Sequence, residues 1–139
     1  MENLIFALLA WLGTNTSYDI SAPPPRIEYK TMRELSDMMY GDIPMKNRTE
    51  ILAVYSVKTD TIHLGDGFAV SDKQHQAILL HELTHHLQNK NNVKVRCSLL
   101  YEPEAYRLMK KWSEDSGIPY QGPGELTIQI RFSSCPEDD

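Results

Sequence analysis

Residues 72–90 read DKQHQAILLHELTHHLQNK, and this window constrains the chain more than any other. Asp72, or Ser71 before it, is a helix N-cap, and Asn91-Asn92 is a stop, so one helix is expected to run to about Asn89. Ala77, Ile78, Leu79, Leu80, Leu83 and Leu87 cover most of its circumference. A helix with so wide an apolar surface belongs in the centre of a fold. Yet the same run carries His81, Glu82 and His85. Burying such a cluster with nothing to bind it costs on the order of several kcal/mol. The window therefore calls for a helix that is both core and site.

Spacing says what the site is for. Residues i and i+4 share a helical face, so the imidazoles of His81 and His85 can hold one ion. Glu82 is rotated off that face, where it can polarise a metal-activated water without taking a coordination position. Two imidazoles with a carboxylate favour zinc. A catalytic zinc usually has three protein ligands and keeps a fourth place open, so a third donor is required. Glu104, separated from His85 by 18 intervening residues and near the start of a second expected helix, is favoured on spacing. Glu102 competes with it, although with Pro103 opening that helix Glu102 is also placed to cap it.

His81-Glu82-x-x-His85, then 18 residues, then Glu104 resembles the gluzincin signature of zinc metallopeptidases. The resemblance implies His81, His85 and Glu104 as zinc ligands, Glu82 as general base and a peptide or protein as substrate. Trp11-Leu12, the proline-rich connector, Thr61-Ile62-His63-Leu64, the run from His81 to Gln88 and Glu104-Ala105-Tyr106 also resemble a small bacterial zincin-like family. The likeness covers mainly residues 73–112. The Gly-containing sequence of large aminopeptidases and the Ser-Asp pair of thermolysin-like enzymes are absent. No residue to stabilise an oxyanion is marked by a motif; His63, Tyr101, Tyr106 and Tyr120 are the candidates. The other reading of the same residues is a zinc-stabilised binding or regulatory domain without turnover.

Around this core the chain reads as a minimal α+β domain spanning 1–139, with a short hairpin packed on two metal-binding helices. Residues 2–13 form an expected helix. Its run Leu4–Leu12 imitates a signal-peptide core, but Glu2 replaces the positive flank and no cleavage site follows cleanly, so a packed helix is expected. The run is also too short for a membrane span. Pro23-Pro24-Pro25 is an extended connector, Arg26–Tyr29 a short strand, and Thr31 with Glu34 a capping box for a helix ending at Tyr40-Gly41. Residues 51–57 and 61–64 read as a hairpin, the second strand being a candidate edge for strand addition. His63 on that strand points away from its core face. The alternation Leu126, Ile128, Ile130, Phe132 reads as a half-buried strand.

Net charge is −5, with acidic residues gathered in Pro136-Glu137-Asp138-Asp139 and no basic patch, which argues against a nucleic-acid partner. Cys97 and Cys135 are expected to bridge, which would suit a periplasmic or secreted protein; left reduced they would suit the cytoplasm. His86 is expected beside the site or at the surface, His75 in solvent, and Gln88 on the helix surface or in packing.

Overall fold

A computed structural model describes residues 1–136; the acidic stretch from Glu137 onward lies outside the described residues. Among them are five α-helices and a three-stranded mixed sheet, an α+β arrangement. In chain order these are α1 (Glu2–Asn15), β1 (Arg26–Lys30), α2 (Met32–Tyr40), β2 (Ala53–Ser56), β3 (Thr61–Gly65), α3 (Lys73–Lys90), α4 (Glu102–Asp115) and α5 (Glu125–Arg131). A 3₁₀ turn, Ser98–Tyr101, leads directly into α4.

The expected start and stop signals operate. Thr31 and Glu34 exchange both hydrogen bonds of a capping box, and Gly41 ends α2 with φ 55°. Asp72 caps α3, its carboxylate accepting from the N–H groups of Gln74 and His75. Ala77, Leu79, Leu80, Leu83 and Leu87 on α3 are buried to within 1% and meet Ile5, Leu8, Leu9 and Leu12 of α1. The apolar N-terminal run thus packs on the domain as a helix. No helix among the described residues is long and apolar enough to cross a membrane.

The hairpin forms, but its second strand is not an edge. β3 lies between β1, which it pairs in parallel, and β2, which it pairs antiparallel, and all five of its residues are buried. β1 and β2 are the edge strands, and β2 is the one that lines the cleft. Residues 125–131 form a helix rather than the expected strand. A strand needs a neighbour to take its backbone groups, whereas a helix satisfies them internally. Here only Ile128 is buried and Leu126 and Ile130 are each 70% exposed, so the period-2 alternation corresponds to no sheet face. Cys97 and Cys135 are joined by a disulfide, which ties the chain ahead of α4 to the segment after α5.

Candidate metal and hydrolytic site

His81, His85 and Gln88 share one face of α3, since steps of four and three residues return nearly to the same angle. The Nε2 atoms of His81 and His85 are 3.2 Å apart. Glu102, the first residue of α4, completes a triangle: its Oε1 is 2.5 Å from His85 Nε2 and its Oε2 is 3.3 Å from His81 Nε2. These three residues are the group among the described residues whose donor atoms converge closely enough to hold a metal ion. Donors 2.0–2.1 Å from a tetrahedral zinc stand about 3.3 Å from one another. The His81–His85 spacing and the His81–Oε2 spacing already match, whereas the other oxygen, Oε1, stands at hydrogen-bond distance from His85, a contact that a bound ion would replace. The donor set therefore fits zinc in both chemistry and spacing.

The electrostatics point the same way. Burial pulls the Glu102 carboxyl upward, but hydrogen bonds and charge from the two imidazoles outweigh it and hold it down at about 2. Burial pulls His85 downward, yet the hydrogen bond it donates to Glu102 and the charges of Glu82 and Glu102 push it up to about 9. The cluster demands a positive charge between its members, a proton or a cation.

The structure brings Glu102 to the imidazoles where the sequence favoured Glu104. The two differ by about 200° of helical turn, so they cannot both face the same group. Glu104 turns to Gln88, whose Nε2 donates to Glu104 Oε1 at 3.0 Å, and it also accepts the hydroxyl of Tyr18. Gln88 Nε2 donates in addition to the Tyr101 carbonyl at 3.0 Å. With both amide hydrogens directed there, Gln88 Oε1 faces His85 Nδ1 at 2.8 Å and can only accept. That makes His85 carry its proton on Nδ1, leaving Nε2 for a ligand bond. Gln88, expected on the helix surface or in packing, thus orients His85. Its signal was its position, three residues past His85 on the same face.

Glu82 is 9% exposed, and burial raises its carboxyl above the ordinary value. It accepts the backbone N–H of Tyr55 on β2, while its Oε2 has no hydrogen-bond partner. β2 is held in place by a network the sequence did not reveal. Tyr55 donates its hydroxyl to Asp60 at 2.7 Å, His86 Nδ1 donates to the same oxygen at 2.6 Å, and Lys90 lies 3.1 Å from the other. Burial pushes Asp60 up, but these hydrogen bonds prevail and hold its carboxyl below its usual value. His86, 1% exposed, ties α3 to the hairpin turn and takes no part in the triangle.

The four hydroxyl and imidazole candidates separate cleanly. His63 sits against Glu28 of β1 at 3.5 Å, away from the cleft. Tyr101 and Tyr120 give their hydroxyls to the carbonyls of Val93 and Pro123. Tyr106 remains: its ring lies 4.4 Å from that of His81, it lines the cleft, and burial first, then the charges of Glu102 and Glu82, push its phenol up to about 12. His75 is half-buried rather than in solvent, with Nδ1 accepting the N–H of Ala69.

His81, Glu82, His85 and Glu102 all open into one cleft of about 490 Å³. Its lining also includes Val54 and Tyr55 of β2, residues of the 3₁₀ turn and α4, and Phe132. No curated protein and no solved structure matches the chain. One protein family matches it over residues 1–135, so the chain belongs to the family described as Domain of unknown function (DUF6647).

Proposed function

We propose that the protein is a zinc-dependent metallopeptidase, a hydrolase of peptide bonds in which His81, His85 and Glu102 hold the ion. The observation that carries this reading is the opening of that triangle into a cleft beside a buried carboxylate, Glu82, with an unpartnered oxygen. A metal site that only stabilises a fold is closed by a fourth protein ligand, whereas a catalytic one leaves room. Glu104 and His86, the remaining acidic and imidazole neighbours in sequence, are engaged with Gln88 and Asp60 instead.

Bound zinc would supply Lewis-acid polarisation of a substrate carbonyl and a lowered pKa for water. The chain's own residues do the rest. Glu82, steadied by the Tyr55 N–H, takes the proton of the attacking water and passes it to the departing amine. Tyr106 directs its uncommitted hydroxyl to the carbonyl oxygen as that atom gains charge. Gln88 keeps His85 in the tautomer that binds. The free side of β2 offers backbone groups to an extended peptide by strand addition. The Cys97–Cys135 bond suits an oxidising compartment, periplasmic or extracellular.

The test is zinc content and peptide turnover in wild type, Glu102→Ala, Glu104→Ala and Glu82→Gln purified in parallel. The expected pattern is stoichiometric zinc in wild type, its loss in Glu102→Ala, partial retention in Glu104→Ala, and full zinc without turnover in Glu82→Gln. Well-folded wild type that takes up no zinc would end the proposal.

A further inference from the structure

Beside the polar residues of the site, the cleft lining carries an apolar set: Met39 of α2, Val54, Val57, Leu99 and Phe132. Met39 and Val57 are about half exposed, at 51% and 57%, so the apolar surface continues from the cleft to its lips. Exposed apolar surface bordering a cavity marks a place where something apolar is received. The acidic side chains at the lining are Glu82 and Glu102, and no lysine or arginine lines the cleft. A bound divalent cation would neutralise those two and leave no surplus positive charge.

From this we infer that the cleft accepts an extended peptide with a large apolar side chain beside the scissile bond and discriminates against an acidic one there. The inference rests on the proposed peptidase reading for its substrate class, and on Leu99 and Phe132 for its selectivity. The two residues are placed by the elements that also shape the site. Leu99 stands in the 3₁₀ turn that delivers Glu102, and Phe132, just after α5, packs on Tyr106 with ring centres 5.5 Å apart. The disulfide joins the segment just before Leu99 to the segment just after Phe132, which ties the two apolar residues' backbones to each other. An acidic side chain seated against Leu99 and Phe132 exchanges hydration for apolar surface. A leucine or phenylalanine side chain gains by leaving water.

Binding and turnover are read separately. Zinc-loaded Glu82→Gln is titrated with fluorescent peptides identical except for Leu, Phe, Asp or Glu at one central position, followed by anisotropy. Zinc-loaded wild type is offered a mixed peptide library, and cut sites are read by mass spectrometry. The expected result is at least tenfold tighter binding of the Leu and Phe peptides and a matching enrichment at cut sites. Leu99→Arg, or Phe132→Arg if the first variant is poorly folded, is expected to raise affinity for the acidic peptides about tenfold. Equal binding of all four peptides, or no binding, overturns the inference. Cleavage without residue preference overturns it too while leaving the peptidase reading intact. Preferential apolar binding without cleavage by wild type supports the cleft chemistry and defeats the peptidase reading alone.

Discussion

Replacing Gln88 with Leu separates the residues that hold a metal from the residue that aims one of them. Gln88 is 3% exposed, and its amide oxygen is the acceptor for His85 Nδ1 at 2.8 Å. Leucine keeps the volume and removes the acceptor, leaving a buried N–H unsatisfied at a cost of about 1–3 kcal/mol in the metal-binding tautomer. The alternative tautomer recovers that energy but places the proton on Nε2, the atom needed for the ion. Either way zinc affinity falls, by roughly 10–100-fold, which corresponds to about 1.4–2.7 kcal/mol. Glu104→Gln retains an acceptor for Gln88 Nε2 and for Tyr18, so its loss is expected to be only a few-fold. Glu102→Ala removes a ligand and is expected to lose most of the affinity. The assay is competition with a chromophoric chelator at fixed pH, accompanied by ¹⁵N shifts of His85 in the metal-free protein to report its tautomer. Zinc affinity in Gln88→Leu within twofold of wild type would refute the orienting role. Retained binding in Glu102→Ala with loss in Glu104→Ala would refute the ligand assignment as well.

Two further outcomes follow from the same geometry. Tyr106→Phe keeps the ring against His81 and removes only the hydroxyl, so kcat is expected to fall about 10²-fold with KM and zinc content nearly unchanged; unchanged kcat in steady-state assays would remove Tyr106 from the chemistry. Cys97→Ser opens a loop closed across a sequence separation of 38, and the folded state is expected to lose about 2–4 kcal/mol, with weaker zinc binding because Glu102 lies just beyond Cys97; denaturant unfolding and the chelator titration read the two effects.

Much of the architecture was legible because its signals are local. The capping box at Thr31, the cap at Asp72, the β-branched hairpin and the leucines of α3 each act within a few residues of themselves, and each formed the element expected. The failures share a cause: they depended on a neighbour the sequence does not name. Residues 126–132 alternate as a strand would, but no strand is there to pair with them, and a short helix whose Ile128 and Phe132 face inward takes their place. The candidate edge became the central strand because β1, far earlier in the chain, adds to β3 in parallel. Asp60 looked like a turn residue and is one, with φ 48°, but its role is the carboxylate that clamps Tyr55, His86 and Lys90.

The exchange of Glu104 for Glu102 has the most specific physical reason. A spacing rule measures distance along the chain, whereas a ligand is chosen by angle around a helix. The 3₁₀ turn Ser98–Tyr101 runs straight into α4, so the helix begins at Glu102 and that carboxylate, at its end, meets the His81–His85 face. Two residues later the side chain has turned by about 200°, and Glu104 meets Gln88 and Tyr18 instead. The carboxylate that fits the familiar spacing is therefore not idle. It anchors the amide that orients His85, so both acidic residues serve one imidazole, Glu102 at Nε2 and Glu104, through Gln88, at Nδ1. This arrangement also draws the loop after α1 into the site, because Tyr18 is the outermost member of that chain of hydrogen bonds. If the chain of contacts acts as a unit, Tyr18→Phe weakens zinc binding by less than Glu104→Ala, and Glu104→Ala by less than Gln88→Leu. Any other order would mean that His85 is held by something besides Gln88.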